Sequence, residues 1–202
     1  MNPAEGEPRN RWWALVLGGG QGRRAGGPKA LKLLNGRPWW RLQAERVAAD
    51  GLRPLSVLHP GAWQSPEPPQ PGEAVVSDPD EPAFLSLKRG IAHIPPGVAL
   101  WVLPVDCPWP GMSLLARLQA SLASGDWLAV VPQALDQEGR LRGGHPLGLS
   151  PLAVEQLQAI PWEIAAETRL DHWLHARSDQ VLRLAVQDPA VLANHNLNGI
   201  DQ

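Results

Sequence analysis

Trp12-Trp13-Ala14-Leu15-Val16-Leu17-Gly18-Gly19-Gly20-Gln21-Gly22-Arg23-Arg24-Ala25-Gly26-Gly27-Pro28-Lys29-Ala30 joins an apolar run to a glycine loop that carries three fixed cations. The run from Trp12 to Leu17 reads as a buried strand feeding the loop. Glycines let backbone N–H groups turn inward and approach an anion closely, while Arg23, Arg24 and Lys29 set charge against phosphate oxygens. The stretch therefore predicts a polyphosphate site at the end of a strand. The plainer alternative is a flexible glycine turn with solvated basic residues. Charge around the loop favours the first reading: between Glu7 and Glu45 stand eight Lys or Arg (Arg9, Arg11, Arg23, Arg24, Lys29, Lys32, Arg37, Arg41) and no Asp or Glu. A nearly neutral protein has gathered its cations at one end.

Two better-known phosphate loops do not fit. A Walker A loop needs Gly-x4-Gly-Lys-Ser/Thr. Gly22 and Gly27 have the spacing, but Pro28 intrudes before Lys29, and Ala30 offers no hydroxyl to a metal. A dinucleotide fingerprint can be forced onto Gly20-x-Gly22-x-x-Ala25, yet that motif should open a helix, and Gly26-Gly27-Pro28 prevents one. The acid expected at the end of the second strand is also missing, since Leu55-Ser56-Val57-Leu58 runs into His59.

The chain of 202 residues, formal charge −2, suits one α/β domain over 1–202. Residues 1–10 are expected to form a flexible tail. With a pI near 6.3, nucleic-acid binding gains no support, and a small anionic substrate fits better. Residues 1–11 are polar and unlike a secretory leader, and no apolar run approaches the roughly 20 residues that span a membrane. A cytoplasmic protein is expected, and nothing in the chain names a protein partner. Its single cysteine, Cys107, excludes an internal disulfide. His172 and His175 lie three apart without a third ligand nearby and read as surface or packing residues. Ten tryptophans stand beside one Phe and no Tyr; Trp12, Trp13, Trp39, Trp40 and Trp101 lie in apolar segments and read as core.

Strand-like and helix-like segments alternate, which predicts a wound, mostly parallel sheet with helices on both faces. Strands are expected near 12–17, 54–58, 73–77, 99–105, 127–132 and 180–186, and helices near 38–50, 83–93, 112–123, 150–159 and 168–176. Pro38 and Pro151 fit first-turn positions, Ser150 an N-cap, and Gly51 and Gly125 helix ends. The Pro-rich loop 59–72 cannot join a sheet interior and is expected on the surface, either mobile or closing over a substrate. Arg142-Gly143-Gly144-His145-Pro146 makes a second glycine loop before the short apolar Leu147-Gly148-Leu149.

Leu100-Trp101-Val102-Leu103-Pro104-Val105-Asp106 is an apolar strand ending on the one acid between Glu81 and Asp126. In a parallel sheet that acid faces the same edge as the first glycine loop. There it can hold Mg²⁺, which takes one or two protein oxygens and completes its octahedron from phosphates and water. The other reading of Asp106 is an N-cap for the helix after Pro108. Cys107 beside it reads as a packing thiol.

These residues resemble the MobA-like nucleotidyltransferases of molybdenum cofactor biosynthesis, with their guanylyl and cytidylyl branches. Leu17, Gly19, Gly20, Gly22, Arg24, Gly26, Gly27 and Lys29 match the family's L-x-G-G-x-G-x-R-x-G-G-x-K signature, with Ala25 in place of the usual Met. Leu34-Asn35-Gly36-Arg37-Pro38-Trp39 is similar to the L-x-G-[KR]-P-L segment, Val105-Asp106-Cys107-Pro108 to D-x-P, and Gly144-His145-Pro146 to the H-P loop. Ala193-Asn194-His195-Asn196 is similar to the closing N-x-N-T-P-E-D segment, although Leu197-Asn198-Gly199-Ile200 replaces T-P-E-D.

The resemblance implies a Rossmann-like fold of the nucleotide-diphospho-sugar transferase type. It also implies transfer of GMP or CMP from GTP or CTP to a phosphate acceptor, molybdopterin, with release of pyrophosphate. In that reading Arg24 and Lys29 hold the triphosphate, within a nucleotide site of Leu17, Gly18, Gly19, Gly20, Gln21, Gly22, Arg23 and Ser86. Asp106 holds Mg²⁺ with Asn196 or Asn194, and His145 and the Pro-rich loop face the acceptor. The glycine loop and Asn35-Gly36-Arg37-Pro38 are more like the guanylyl branch; Ser86-Leu87-Lys88-Arg89-Gly90 and the Gly-His-Pro loop are more like the cytidylyl branch. The rivals are the same chemistry on a sugar phosphate or other small phosphate acceptor, and a non-catalytic nucleotide-binding regulatory domain.

Overall fold

The first strand, β1 (Trp12–Gly18), sets the frame. A computed structural model describes residues 12–194, so the tail 1–10 lies outside the described residues. Along β1 the side chains alternate: Trp13 and Leu15 enter the core on one face of the sheet, Ala14 and Val16 the cores on the other. β4 (Arg53–Leu58) and β6 (Ala99–Pro104) flank β1, both parallel to it, and β5 (Ala74–Val76) continues in parallel beyond β4. On the far side lie β7 (Ala129–Leu135) and β10 (Val181–Ala185), parallel to each other. The order is β10-β7-β9-β6-β1-β4-β5, where β9 (Leu147–Leu149) runs antiparallel to both β6 and β7.

The mostly parallel α/β sheet is as the alternation of segments predicts. α1 (Trp39–Ala49) and α3 (Met112–Ala123) cover one face through Trp39, Trp40, Val47, Leu115, Leu118 and Leu122. α2 (Ala83–Ile91), α4 (Pro151–Ala159) and α6 (Leu170–His175) cover the other through Phe84, Leu87, Ile91, Val154, Leu157 and Trp173. Ser150 caps α4, its hydroxyl accepting from Ala153 N at 3.2 Å. Trp13, Trp39, Trp40 and Trp101 are buried, and Trp12 stacks on Trp101 with ring centroids 4.6 Å apart.

Several features depart from the sequence expectation. β9 and β8 (Leu141–Gly143, a hairpin partner of β7) are strands where a glycine loop and a short apolar run were expected. Gly148, at the centre of β9, hides that strand from pattern reading. A Cβ there would meet Trp101 at 2.6 Å and Val130 at 2.7 Å, so only glycine lets the strand cross these side chains. β2 (Leu33–Leu34) and β3 (Arg37–Pro38) form a small separate ribbon, which places Pro38 before α1 instead of in its first turn. A short α5 (Trp162–Ala165) follows α4. Asp106 is no helix cap: α3 begins at Met112, behind Gly111.

The Pro-rich loop stays out of the sheet and lies against α1. Arg37 bridges Glu45 at 2.7 Å and Glu67 at 3.0 Å, and Arg41 reaches Glu73 at 2.8 Å and the carbonyl of Pro68 at 3.1 Å. These pairs hold Arg37 above its ordinary pKa and Glu45 and Glu67 below theirs, with the hydrogen bonds as the main cause. Among the described residues, no helix is long and apolar enough to cross a membrane.

Candidate active site

β1 delivers the chain into a loop that doubles back on itself. Gly22 takes the left-handed conformation (φ 60°, ψ 33°), and its carbonyl accepts from Ala25 N at 2.7 Å and Gly27 N at 3.1 Å. A Cβ on Gly22 would run into the Gly27 carbonyl oxygen, so the turn requires glycine there. Arg23 and Arg24 project outward from it, and the chain returns so that Lys29 begins a short 3₁₀ turn, Lys29–Leu31. Ala30 in that turn is fully buried against the cluster of Trp39, Trp40 and Val105. No α-helix opens after the glycines, which removes the dinucleotide reading; the next one is α1.

β6 is parallel to β1, so both strands end at the same edge. Beyond Pro104 the chain turns tightly: Cys107 N donates to Pro104 O at 3.0 Å, and Val105 N to Leu17 O, at the end of β1, at 2.8 Å. Asp106, mostly buried, sits on this turn. Its Oδ2 accepts from Lys29 Nζ at 2.5 Å, across 77 positions of sequence. The carboxylate is the acid in a cavity of about 180 Å³ whose walls include Leu17, Gly18, Gly20, Gly22 and Lys29. Lys29 and Gly22 also face an adjoining cavity of about 820 Å³, with Gln21, Arg23, Arg24 and Asn194. Lysine and aspartate thus stand at the junction of an open cationic basin and a smaller acid-lined recess.

Leu17 leads onward from the recess to an apolar cavity of about 570 Å³ between Phe84, Leu87 and Leu170. Leu170 and Asp171 are shared with a further cavity of about 370 Å³ that holds His145 and Arg183. The recess and these two cavities thus adjoin one another through shared lining residues. His145 stands just before β9, beside the end of β6 that leads into Asp106. Burial lowers its pKa, opposed in part by the charge of Asp106. Its Nδ1 is buried without a hydrogen-bond partner among the described residues. Asn194 reaches the basin, whereas Asn196 lies outside the described residues.

Ser86 lies on α2 against the backbone of Gly19, its Oγ 2.6 Å from that of Ser77. Ser77 donates to Glu81 at 2.8 Å, and Glu81 is held by Arg89 at 2.9 Å. A carboxylate can only accept, so the Ser77 proton is directed to Glu81 and Ser86 must donate to Ser77. Sequence reading missed Ser77 and also Asp80, which accepts from Arg23 at 3.0 Å and from Gln21 at 2.5 Å across the basin. The acid-rich Asp78-Pro79-Asp80-Glu81, between a strand and a helix at the ligand edge, was the signal for both.

Cys107 is buried, and burial, reinforced by the Asp106 charge and opposed by Lys29, pushes its thiol up to about 12. It is expected to resist iodoacetamide at neutral pH in the folded protein and to react fully once unfolded. Rapid alkylation of folded protein, read by intact mass, would contradict a packing role.

No group of three or more His, Cys, Asp or Glu gathers among the described residues. What the recess offers is one hard carboxylate that already carries a cation, the Lys29 ammonium. Such a site fits Mg²⁺, which keeps most of its ligands from phosphate and water and needs only one or two from protein.

The MobA-like NTP transferase domain description matches residues 14–181. The chain belongs to the MobA-like NTP transferase family. It is a nucleotidyltransferase. Among curated relatives, a molybdenum cofactor guanylyltransferase of Sinorhizobium fredii is 28% identical over 193 residues, covering 93% of this chain and 77% of the relative. Among solved structures, Rv0371c of Mycobacterium tuberculosis superposes with a TM-score of 0.68 at 19% identity, covering 89% of each chain. A second structure of that protein, a complex with manganese, gives 0.61 at 17% identity, covering 89% of this chain and 90% of that one. The 2-C-methyl-D-erythritol 4-phosphate cytidylyltransferase of Thermus thermophilus gives 0.59 at 21% identity, covering 90% and 91%. These likenesses show that the chain shares its fold with these structures along about nine-tenths of its length.

Proposed function

We propose that this MobA-like transferase moves GMP or CMP from the corresponding triphosphate to a phosphate of molybdopterin, with release of pyrophosphate and with Mg²⁺ as the metal. The observation that carries the reading is the contact of Lys29 with Asp106 where the cationic basin meets the acid-lined recess. The name of the curated relative, molybdenum cofactor guanylyltransferase, favours GTP and a molybdenum cofactor acceptor. The manganese complex of the mycobacterial structure agrees with a divalent metal.

In this mechanism Arg24 and Lys29 bind the triphosphate in the basin, with Lys29 at the α-phosphate, while backbone around Leu17 to Gly19 and Ser86 meets the base. The acceptor occupies the cavities that adjoin the recess, next to His145. An oxygen of its phosphate attacks the α-phosphorus; the bond to the β-bridging oxygen breaks, and its electron pair leaves with pyrophosphate. Asp106, with Asn194 or Asn196, would hold the metal, which supplies charge neutralisation on the phosphates. Lys29 keeps a fixed positive charge where negative charge accumulates, so positioning and electrostatics lower the barrier without a covalent enzyme intermediate.

The test is a thermal-shift panel of GTP, CTP, ATP and UTP with and without Mg²⁺, followed by pyrophosphate release with molybdopterin and with sugar phosphates. GTP or CTP with Mg²⁺ should raise the melting temperature above the other nucleotides, since a ligand bound only to the folded state stabilises it. Turnover should require molybdopterin. Turnover on sugar phosphates alone would reassign the acceptor, and stabilisation without turnover on any acceptor would reject the transfer reaction.

A further inference from the structure

The turn that carries Asp106 is held from behind by a side chain that no phosphate or metal chemistry requires at that position. Gln43, on the inner face of α1, is 1% exposed, and its Nε2 donates to the carbonyl of Val105 at 3.0 Å and to that of Cys107 at 2.6 Å. Those two carbonyls flank Asp106 on either side. Both need a donor, and within the glutamine head only Nε2 donates, with two protons, so the orientation of the amide is fixed. With Val105 N on Leu17 O and Cys107 N on Pro104 O, the backbone N–H groups and carbonyls of both flanking residues are engaged. Between these two fixed residues the Asp106 side chain meets Lys29.

α1 also packs on the Lys29 side. Trp39 and Trp40 share a buried cluster with Ala30, the neighbour of Lys29, and with Val105, the neighbour of Asp106. One helix therefore registers both halves of the ion pair, Lys29 through packing and Asp106 through two hydrogen bonds. We propose that Gln43 is a positioning residue for the Asp106 carboxylate, setting its distance to the metal and to the α-phosphate by clamping the carbonyls on both sides of it. This rests on the reading of Asp106 as the metal-binding acid. The energetic logic is that small misplacements of a catalytic group are costly while leaving substrate binding largely intact.

The test compares Gln43→Met, which fills the space but donates nothing, and Gln43→Asn, which keeps the amide but cannot span both carbonyls. Mn²⁺ binding is read by electron paramagnetic resonance on the complex with the α,β-methylene analogue of GTP or CTP, beside kcat and KM for the natural nucleotide. Leu118→Ala, in the core beneath α3, controls for lost stability. Both Gln43 variants should weaken Mn²⁺ binding by about fivefold or more and lower kcat by about tenfold or more, with KM for the nucleotide within about threefold. Leu118→Ala should lower the melting temperature with Mn²⁺ affinity unchanged. If Gln43→Met does not fold, the Asn variant decides alone. Wild-type Mn²⁺ affinity in the folded Gln43 variants, while Asp106→Asn abolishes it, overturns this inference and leaves the metal assignment standing. Wild-type affinity in Asp106→Asn overturns that assignment itself.

Discussion

Asp106→Asn and Lys29→Met should each lower pyrophosphate release by at least about a hundredfold, the usual scale for removing one preorganised electrostatic element. Asparagine keeps the size of aspartate and can still offer an oxygen, but brings no charge to a metal. Methionine keeps the lysine stem and removes the cation. Each single change also strips a partner from a largely buried pair whose side chains are only 21% and 11% exposed, so stability should fall as well. The double variant separates the two effects. With neither charge left uncompensated, its melting temperature should recover toward that of the wild type, while activity remains lost. Near-normal turnover in either folded single variant would remove both residues from the proposed mechanism.

Gly22→Ala should raise KM for the nucleotide by about 30-fold, corresponding to about 2 kcal/mol of lost binding. The left-handed backbone at this position costs an L-residue about 1–2 kcal/mol, and the added Cβ must also push aside the Gly27 carbonyl. The turn from Gly22 to Gly27 then opens, carrying Arg23 and Arg24 away from the basin. The strain falls on a surface loop, so the sheet should survive with a modest loss in melting temperature. Gly20→Ala is the stability control, because a Cβ there meets nothing within 4 Å and should leave the melting temperature unchanged. An unchanged KM in Gly22→Ala would mean that this turn does not shape the nucleotide site.

The parallel scaffold was legible because its strands are mostly apolar runs and its helices carry their own boundary signals. Leu55 to Leu58, Leu100 to Leu103 and the Ser150-Pro151 start of α4 needed no tertiary information. β9 did, since its three residues include a glycine selected by the indole of Trp101 across the sheet. That the glycine loop and Asp106 share an edge followed from strand topology, since parallel strands end together; the return of Lys29 to Asp106 took the Gly22–Gly27 turn as well. Gln43 could not be read from sequence, because a buried glutamine in an amphipathic helix has no local signature, and its partners lie more than 60 positions away. Ser77 and Asp80 were missed for a different reason. Their acidic, proline-containing stretch between a strand and a helix was a signal, but which of its side chains meet the glycine loop depends on the fold.

The antiparallel strand β9 has a wider consequence. It joins the two halves of the sheet through a ladder only three residues long on β6 and two on β7. The half from β6 to β5 carries the glycine loop, Lys29 and Asp106, His145 stands at the seam itself, and the half beyond it supplies Arg183. On the proposed reading, donor and acceptor recognition are divided between two modules with separate evolutionary latitude. Drift in the distal module can retune the choice of acceptor while the nucleotide cradle is inherited intact.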